Sequence, residues 1–213
     1  MKTRAELKAM AKQQIKGNIG MLFVVTLIIG AVSAIAGAVA GVVPGVGLAV
    51  SVVVTPALSL SLVRVYLALV NAGKKPEAKD AFTGFDDFWT AFKTTFLVGL
   101  YTFLWSLLFV IPGIIKAFSY SQAMYIVAEN KGIGAREAIR QSQAMMDGHK
   151  AELFVLGLSF IGWGLLVTVT LGIAAIWVVP YMQATMVNFY NNLKPAEVEG
   201  VVEAAIESAE EEA

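Results

Sequence analysis

Apolar residues run in long uncharged blocks, and the polar stretches between them are short and periodic. Residues 2–17 place Leu7, Ala11, Gln14, Ile15 and Asn18 on one helical face with most lysines elsewhere, which predicts a short amphipathic helix. Ile19–Val43 and Val46–Val70 follow, parted only by Pro44-Gly45. Each is about 25 residues long, and about 20 suffice to cross the hydrocarbon core, so the pair predicts a transmembrane hairpin with a minimal outer turn. A polar stretch over 71–93 carries Phe82, Phe85, Phe88, Trp89 and Phe92 at steps of three and four, opposite Asp80, Asp86, Asp87 and Lys93. That spacing predicts an aromatic-faced helix suited to the membrane interface.

The alternation then continues. Phe96–Ile111 predicts a third span ended by Pro112-Gly113. Ile114–Ala128 predicts a weaker fourth, carrying Lys116, Ser119, Ser121 and Gln122. Residues 129–150 are polar, with Ala135, Ala138, Ile139, Ser142, Met145 and Met146 forming a stripe opposite Arg136, Arg140 and Asp147. Leu153–Thr170 and Ile173–Tyr190, separated by Leu171-Gly172, predict spans five and six. The expected fold is thus an all-α membrane protein: six transmembrane helices as three hairpins, each preceded by an amphipathic helix. An integral membrane domain covers 1–194, and an acidic, solvated tail covers 195–213.

Composition agrees with the pattern. Hydrophobic residues make up 57% of the 213-residue chain and charged ones 15%, with a mean hydropathy of +0.70. Soluble domains average about 25% charged residues. The basic opening and the small residues Ser33, Ala34 and Ala36 resemble a signal peptide, but the apolar run continues far past them. Of the 16 Lys and Arg residues, all but Arg64 and Lys116 lie in the N-terminal segment, the two polar loops or the tail. With six spans these regions share one side, and the positive-inside rule makes that side the cytoplasm for both termini.

The unit of amphipathic helix and hairpin recurs over about 1–72, 73–131 and 132–193. Glu6, Gly17, Leu22 and Phe23 match Glu137, Gly148, Leu153 and Phe154, and Pro56 and Tyr66 match Pro180 and Tyr190. Phe96, Gly99, Leu100, Trp105 and Leu108 match Phe154, Gly157, Leu158, Trp163 and Leu166; Tyr120, Gln122 and Ala123 match Tyr181, Gln183 and Ala184. Self-similarity of this kind signals repeated units. All copies run in one direction, so the expected arrangement is a pseudo-threefold bundle about the membrane normal.

Candidate chemistry is sparse. The absence of cysteine excludes disulfides and thiolate sites, and the single histidine, His149, excludes a histidine-rich metal site. No hydrolase, zincin or phosphate-loop motif occurs, and no predicted span carries Asp or Glu. No enzymatic activity, cofactor or nucleic-acid partner is expected. Lys116, Tyr120, Gln122, Tyr181 and Gln183 form a candidate polar core, in which the two glutamines can hydrogen-bond between helices. Arg64 reads as a snorkelling residue at the inner end of its span. Ser33, Gly37, Gly41 and Gly45 form a small-residue series for close helix approach, within the bundle or in a homo-oligomer.

The segments RAELKAMAKQQIKGN, LWSLLFVIPGIIKAFSYSQAMYI, AREAIRQSQAMMDGHK and LFVLGLSFIGWGLLVTVTLGIAAIWVVPYMQATMVNFY resemble the prokaryotic membrane proteins catalogued as domain of unknown function 975. Ile111–Lys116 and Tyr181–Ala184 carry the resemblance most specifically, while His149-Lys150 stands where such proteins typically have Asn-Lys or Asn-Trp. The resemblance implies a prokaryotic plasma-membrane protein and supplies no activity, the family's function not being established. The expected role is a non-enzymatic envelope protein that binds membrane lipids or cytoplasmic protein partners. The alternative is a small-solute or lipid transporter or channel, which requires the polar-core residues to converge on one cavity.

Overall fold

A computed structural model describes residues 2–42 and 44–194, all helical or connecting segments. The acidic tail over 195–213 lies outside the described residues. The chain opens with α1 (Arg4–Ile15) and the long pair α2 (Ile19–Val42) and α3 (Pro44–Ala72). Thr3 caps α1 in a reciprocal capping box with Glu6, which satisfies orphan N–H groups at the helix start. Gly17 then turns the chain at a φ of 85°, a left-handed conformation that glycine adopts freely. The result is a 93° bend between α1 and α2.

A 3₁₀ segment (Ala78–Phe85) leads into α4 (Phe88–Leu108). The aromatic face expected of one interfacial helix is therefore split: Phe82 and Phe85 lie on the 3₁₀ segment, while Phe88, Trp89 and Phe92 open α4 and stack in series with Phe96. The next reversal falls at Phe109, in extended backbone, and not at Pro112-Gly113. Pro112 instead sits in the first turn of α5 (Val110–Tyr120), where its missing N–H costs nothing because the first helical N–H groups have no intrahelical acceptor. Gly113 permits a close approach to Ser106 of α4: an added Cβ would stand 2.8 Å from the Ser106 Cα.

The expected fourth span is broken at Ser121-Gln122 into α5 and α6 (Ala123–Glu129). After α7 (Ala135–Met145), Gly148 turns the chain at a φ of 80° into α8 (Lys150–Leu158), which continues after a break as α9 (Ile161–Val169). The reversal expected at Leu171-Gly172 is present. Both residues have positive φ, 50° and 91°, and Gly172 and Leu171 donate to Val167 and Thr168, an arrangement that closes the end of α9. The last element is α10 (Ala175–Leu193).

Among the described residues, three helices are long and apolar enough to cross a membrane: Val54–Ala72, Phe88–Leu108 and the combined Lys150–Val169. The bent pair of α1 with Ile19–Ile35 makes a fourth if counted as one span. The buried core lies at one end of the bundle. There Ala57–Leu69 of α3, Ala123–Val127 of α6 and Val178–Leu193 of α10 contribute much of the core, with Tyr66 and Tyr190 among the largest buried side chains. The outer elements pack on these three helices in turn: α1 on α10, the 3₁₀ segment on α3, and α7 on α6. The other end is different. Leu107–Ile111 and Leu165–Ile173 are largely exposed and apolar, which in a water-soluble domain is an unusual surface and in a membrane protein is the lipid-facing one.

Candidate functional site

The amphipathic pattern of α1 decides where its charges go. Leu7, Ala11 and Ile15 are buried against the core, as the spacing predicts. Lys8, Lys12 and Lys16 flank that stripe one residue later, so they follow the same helix edge. The Lys8 ammonium donates to the Ser159 carbonyl at 3.3 Å and sits 4.4 Å from the centroid of Phe160. Burial, with Arg4 and Lys12 nearby, pushes its pKa below the ordinary lysine value. Lys12 lies 5.6 Å from the centroid of Tyr181. Beyond it, Lys12, Ile15, Lys16 and Ile19 on one side and Trp163, Trp177, Val178 and Tyr181 on the other enclose a groove of about 210 Å³. Its wall is aromatic and aliphatic, and its rim carries two ammonium groups.

Polar side chains hold α1 in this place. Asn188, buried on α10, donates to Gln14 Oε1 at 2.7 Å and to the Leu7 carbonyl at 3.4 Å. Asn192 accepts from the Lys2 backbone N–H at 2.9 Å. The other outer elements are tied similarly. Arg64 pairs with Asp87 and donates to the Thr83 carbonyl at 2.6 Å. Its guanidinium, expected to snorkel at the inner end of its span, reaches an acid 23 positions away in the chain. Ser61 accepts from the Gly84 N–H at 2.8 Å. Ser142 of α7 donates to the Ser119 carbonyl at 2.8 Å and accepts from the Gln122 N–H at 3.1 Å. On the outer face of α7, the Arg140 guanidinium and then the Gln141 amide hold the Glu137 carboxyl down to a pKa of about 2.

A second cavity, of about 350 Å³, lies beside the Arg64 pair, lined among others by Arg64, Lys74, Asp80, Asp86, Glu129 and Lys131. Glu129 accepts from Tyr190 at 2.7 Å and pairs with Lys194. Its charges balance, so it presents no field of one sign.

The five residues of the expected polar core have separate surroundings. Lys116 lies 5.0 Å from the centroid of Trp105. Tyr120 is buried beside Tyr101. Tyr181 packs edge-on against Phe160 and Trp163. Gln122 is buried, and it lines a cleft of about 460 Å³ with Phe118, Tyr125, Leu153 and Met186. Its side chain donates to the neighbouring Ser121, and it is its backbone that binds across to α7. Gln183 is half-buried on α10. Of the small-residue series, Ser33, Gly37 and Gly41 lie on α2 but Gly45 on α3; among the described residues, none from another helix lies within 4 Å of a Cβ built at Gly37. Sequence reasoning missed Ser61, Asn188 and Ser142 as the ties between elements. A polar residue at a buried register of an apolar stripe is the signal that marks each.

Taken together, these are the features of an all-α protein whose apolar helices suit a membrane and whose charged elements gather at one end. The chain belongs to the family described as protein of unknown function (DUF975), which matches residues 1–119 and 107–197. Neither a curated protein nor a solved structure matches it.

Proposed function

We propose that this chain is a non-enzymatic plasma-membrane protein that binds anionic phospholipid at the cytoplasmic surface through α1. One observation carries the reading: the groove whose rim is Lys12 and Lys16 and whose wall is Trp163, Trp177, Val178 and Tyr181. A phosphate at the ammonium rim and an acyl chain along the aromatic wall satisfy both halves at once. Interfacial aromatic residues beside a basic amphipathic helix are the usual means of holding a helix at the headgroup level.

The proposed topology is three hairpins with α1, the 3₁₀ segment, α7 and both termini on the cytoplasmic side. Six full crossings and hairpins that enter only part-way put the same segments on the same side, so the charge rule supports this orientation in either case. The threefold repeat belongs to the same reading, and matched details favour it. Gly17 and Gly148 both take positive φ between an outer helix and a span. Asn18 and His149 donate to Ile15 and Met146, and Leu22 and Leu153 donate to Asn18 and His149. Ser61 and Thr185, each five residues past the matched Pro56 and Pro180, both donate back to the preceding turn.

The test is lipid titration of the purified protein in detergent, read by native mass spectrometry. Phosphatidylglycerol is expected to bind in preference to phosphatidylcholine. A basic residue near an anionic surface contributes about 1 kcal/mol, so Lys12→Gln with Lys16→Gln is expected to weaken phosphatidylglycerol binding about 30-fold. Equal retention of the two lipids, or an unchanged affinity in the double variant, contradicts the reading.

A further inference from the structure

The charged outer helices act as rulers for how deep the hairpins reach. Helix α1 runs antiparallel along α10: Lys2 meets Asn192, Leu7 meets Asn188, and Lys12 meets Tyr181. Its exposed edge carries Arg4, Lys12, Gln13 and Lys16, which belong in water or among headgroups. The ammonium groups themselves mark the level, Lys8 at Ser159 and Phe160 and Lys12 at Tyr181, so a reach by snorkelling is already counted. At helical rise the chain spans about 18 Å from Ser159 to the tip at Leu171, and about 12 Å from Tyr181 back to Ile173. Hairpin three therefore extends only about half of the roughly 30 Å hydrocarbon core beyond its cations.

Helix α7 repeats the measurement on hairpin two. Its Ile139 forms a buried cluster with Tyr120 and Ala123 against which Leu97, Val98 and Tyr101 pack, while Arg136 and Arg140 on its other side are exposed. From Tyr101 to Leu108 is about 10 Å of helix, and from Tyr120 to Val110 about 15 Å. Both tips are apolar and open: Leu171 is 93% exposed, Phe109 72% and Ile111 71%. No charged, amide or imidazole side chain lies between Phe96 and Ile115 or between Leu153 and Met182 to meet water on a far side.

We infer that the second and third hairpins are wedges that enter one leaflet and turn back near the bilayer midplane. Their tips, Phe109–Ile111 and Leu171–Ile173, fit the acyl-chain interior of the leaflet that holds α1 and α7. This rests on the membrane reading above and goes beyond it in depth. An apolar tip in hydrocarbon needs no polar cap; the turn of the third hairpin is closed by the Gly172 and Leu171 hydrogen bonds to α9, and at the second Phe109 donates to the Trp105 carbonyl and accepts from the Gly113 N–H.

The chain has no cysteine, so single cysteines report cleanly. Ile111→Cys and Leu171→Cys, with Phe109→Cys and Ile173→Cys as second positions if either fails to elute as native protein, are placed one at a time. Lys131→Cys serves as the water-exposed reference. Tip thiols are expected to resist an impermeant maleimide in intact and in permeabilised cells and to react only in detergent. A bimane on each tip, in vesicles, is expected to be quenched most by phospholipids spin-labelled near the end of the acyl chain. Labelling of a tip from either side, or strongest quenching at headgroup depth, overturns the inference. Release of the chain from membranes by alkaline carbonate overturns the membrane reading itself, which keeps the two failures apart.

Discussion

Gly84→Ala is expected to be among the most damaging single substitutions in this chain, although it adds one methyl group. The 3₁₀ segment lies so close to α3 that a Cβ at Gly84 would overlap the Ala57 carbonyl oxygen and stand 2.7 Å from Ser61 N and 2.8 Å from Ser61 Oγ. Two of these atoms are helix backbone, which cannot swing aside. Overpacking of this kind costs about 1–3 kcal/mol. Pushing the segment outward also breaks the bond from Gly84 N–H to Ser61 Oγ, and a buried N–H left without an acceptor costs about 1–3 kcal/mol more. A loss of about 2–4 kcal/mol is expected once relaxation shares the two effects. Thermal unfolding of the detergent-solubilised protein, followed by monodispersity, reads it. Gly157→Ala is the control: among the described residues, none outside its own helical turn lies within 4 Å of a Cβ built there, and alanine in an open helical position is neutral to slightly stabilising. Equal stability of the two variants contradicts the close packing of the 3₁₀ segment on α3.

Arg64→Met is expected to cost about 2–3 kcal/mol, measured in the same way. Arg64 and Asp87 side chains are 13% and 25% exposed, so neither charge is well solvated without the other. Removing one member of a fully buried pair costs about 3–5 kcal/mol, and the partial exposure here reduces that figure. The Thr83 carbonyl also loses its donor. The pair as a whole is worth less than its breaking suggests, because two apolar residues need no desolvation. Arg64→Met combined with Asp87→Leu is therefore expected to recover most of the stability lost in either single variant. Additive losses in the double variant contradict a direct pair.

How much of this was legible in the sequence follows from which interactions are local. The buried stripes of α1 and α7 were readable, because a 3.6-residue period exposes them whatever they pack against: Leu7, Ala11 and Ile15, and Ala135, Ala138, Ile139 and Ser142, are buried as spaced. The reversal at Leu171-Gly172 was readable as well. Pro112-Gly113 misled, because proline is as much at home in the first turn of a helix as in a turn between helices, and only the backbone at Phe109 distinguishes them. The Arg64 pair and the Lys8 and Lys12 contacts were not readable. They join residues 23 and more than 150 positions apart, and no local rule selects such partners. What covers the apolar blocks was hidden for a related reason. Hydropathy counts the length of an apolar block and not what packs on it: within Tyr181–Leu193, Tyr181, Ala184, Val187, Phe189, Tyr190 and Leu193 are buried in the core.

The sidedness of the polar segments tests the account most directly. Lys131→Cys lies in the exposed loop between α6 and α7, the segment whose side depends on the weakest apolar stretch, Ile114–Ala128. In intact cells an impermeant maleimide is expected to leave it unlabelled, and permeabilising the membrane is expected to label it fully. Labelling in intact cells would place α7 and its arginines on the outer side, and would contradict both the hairpin arrangement and the cytoplasmic lipid site.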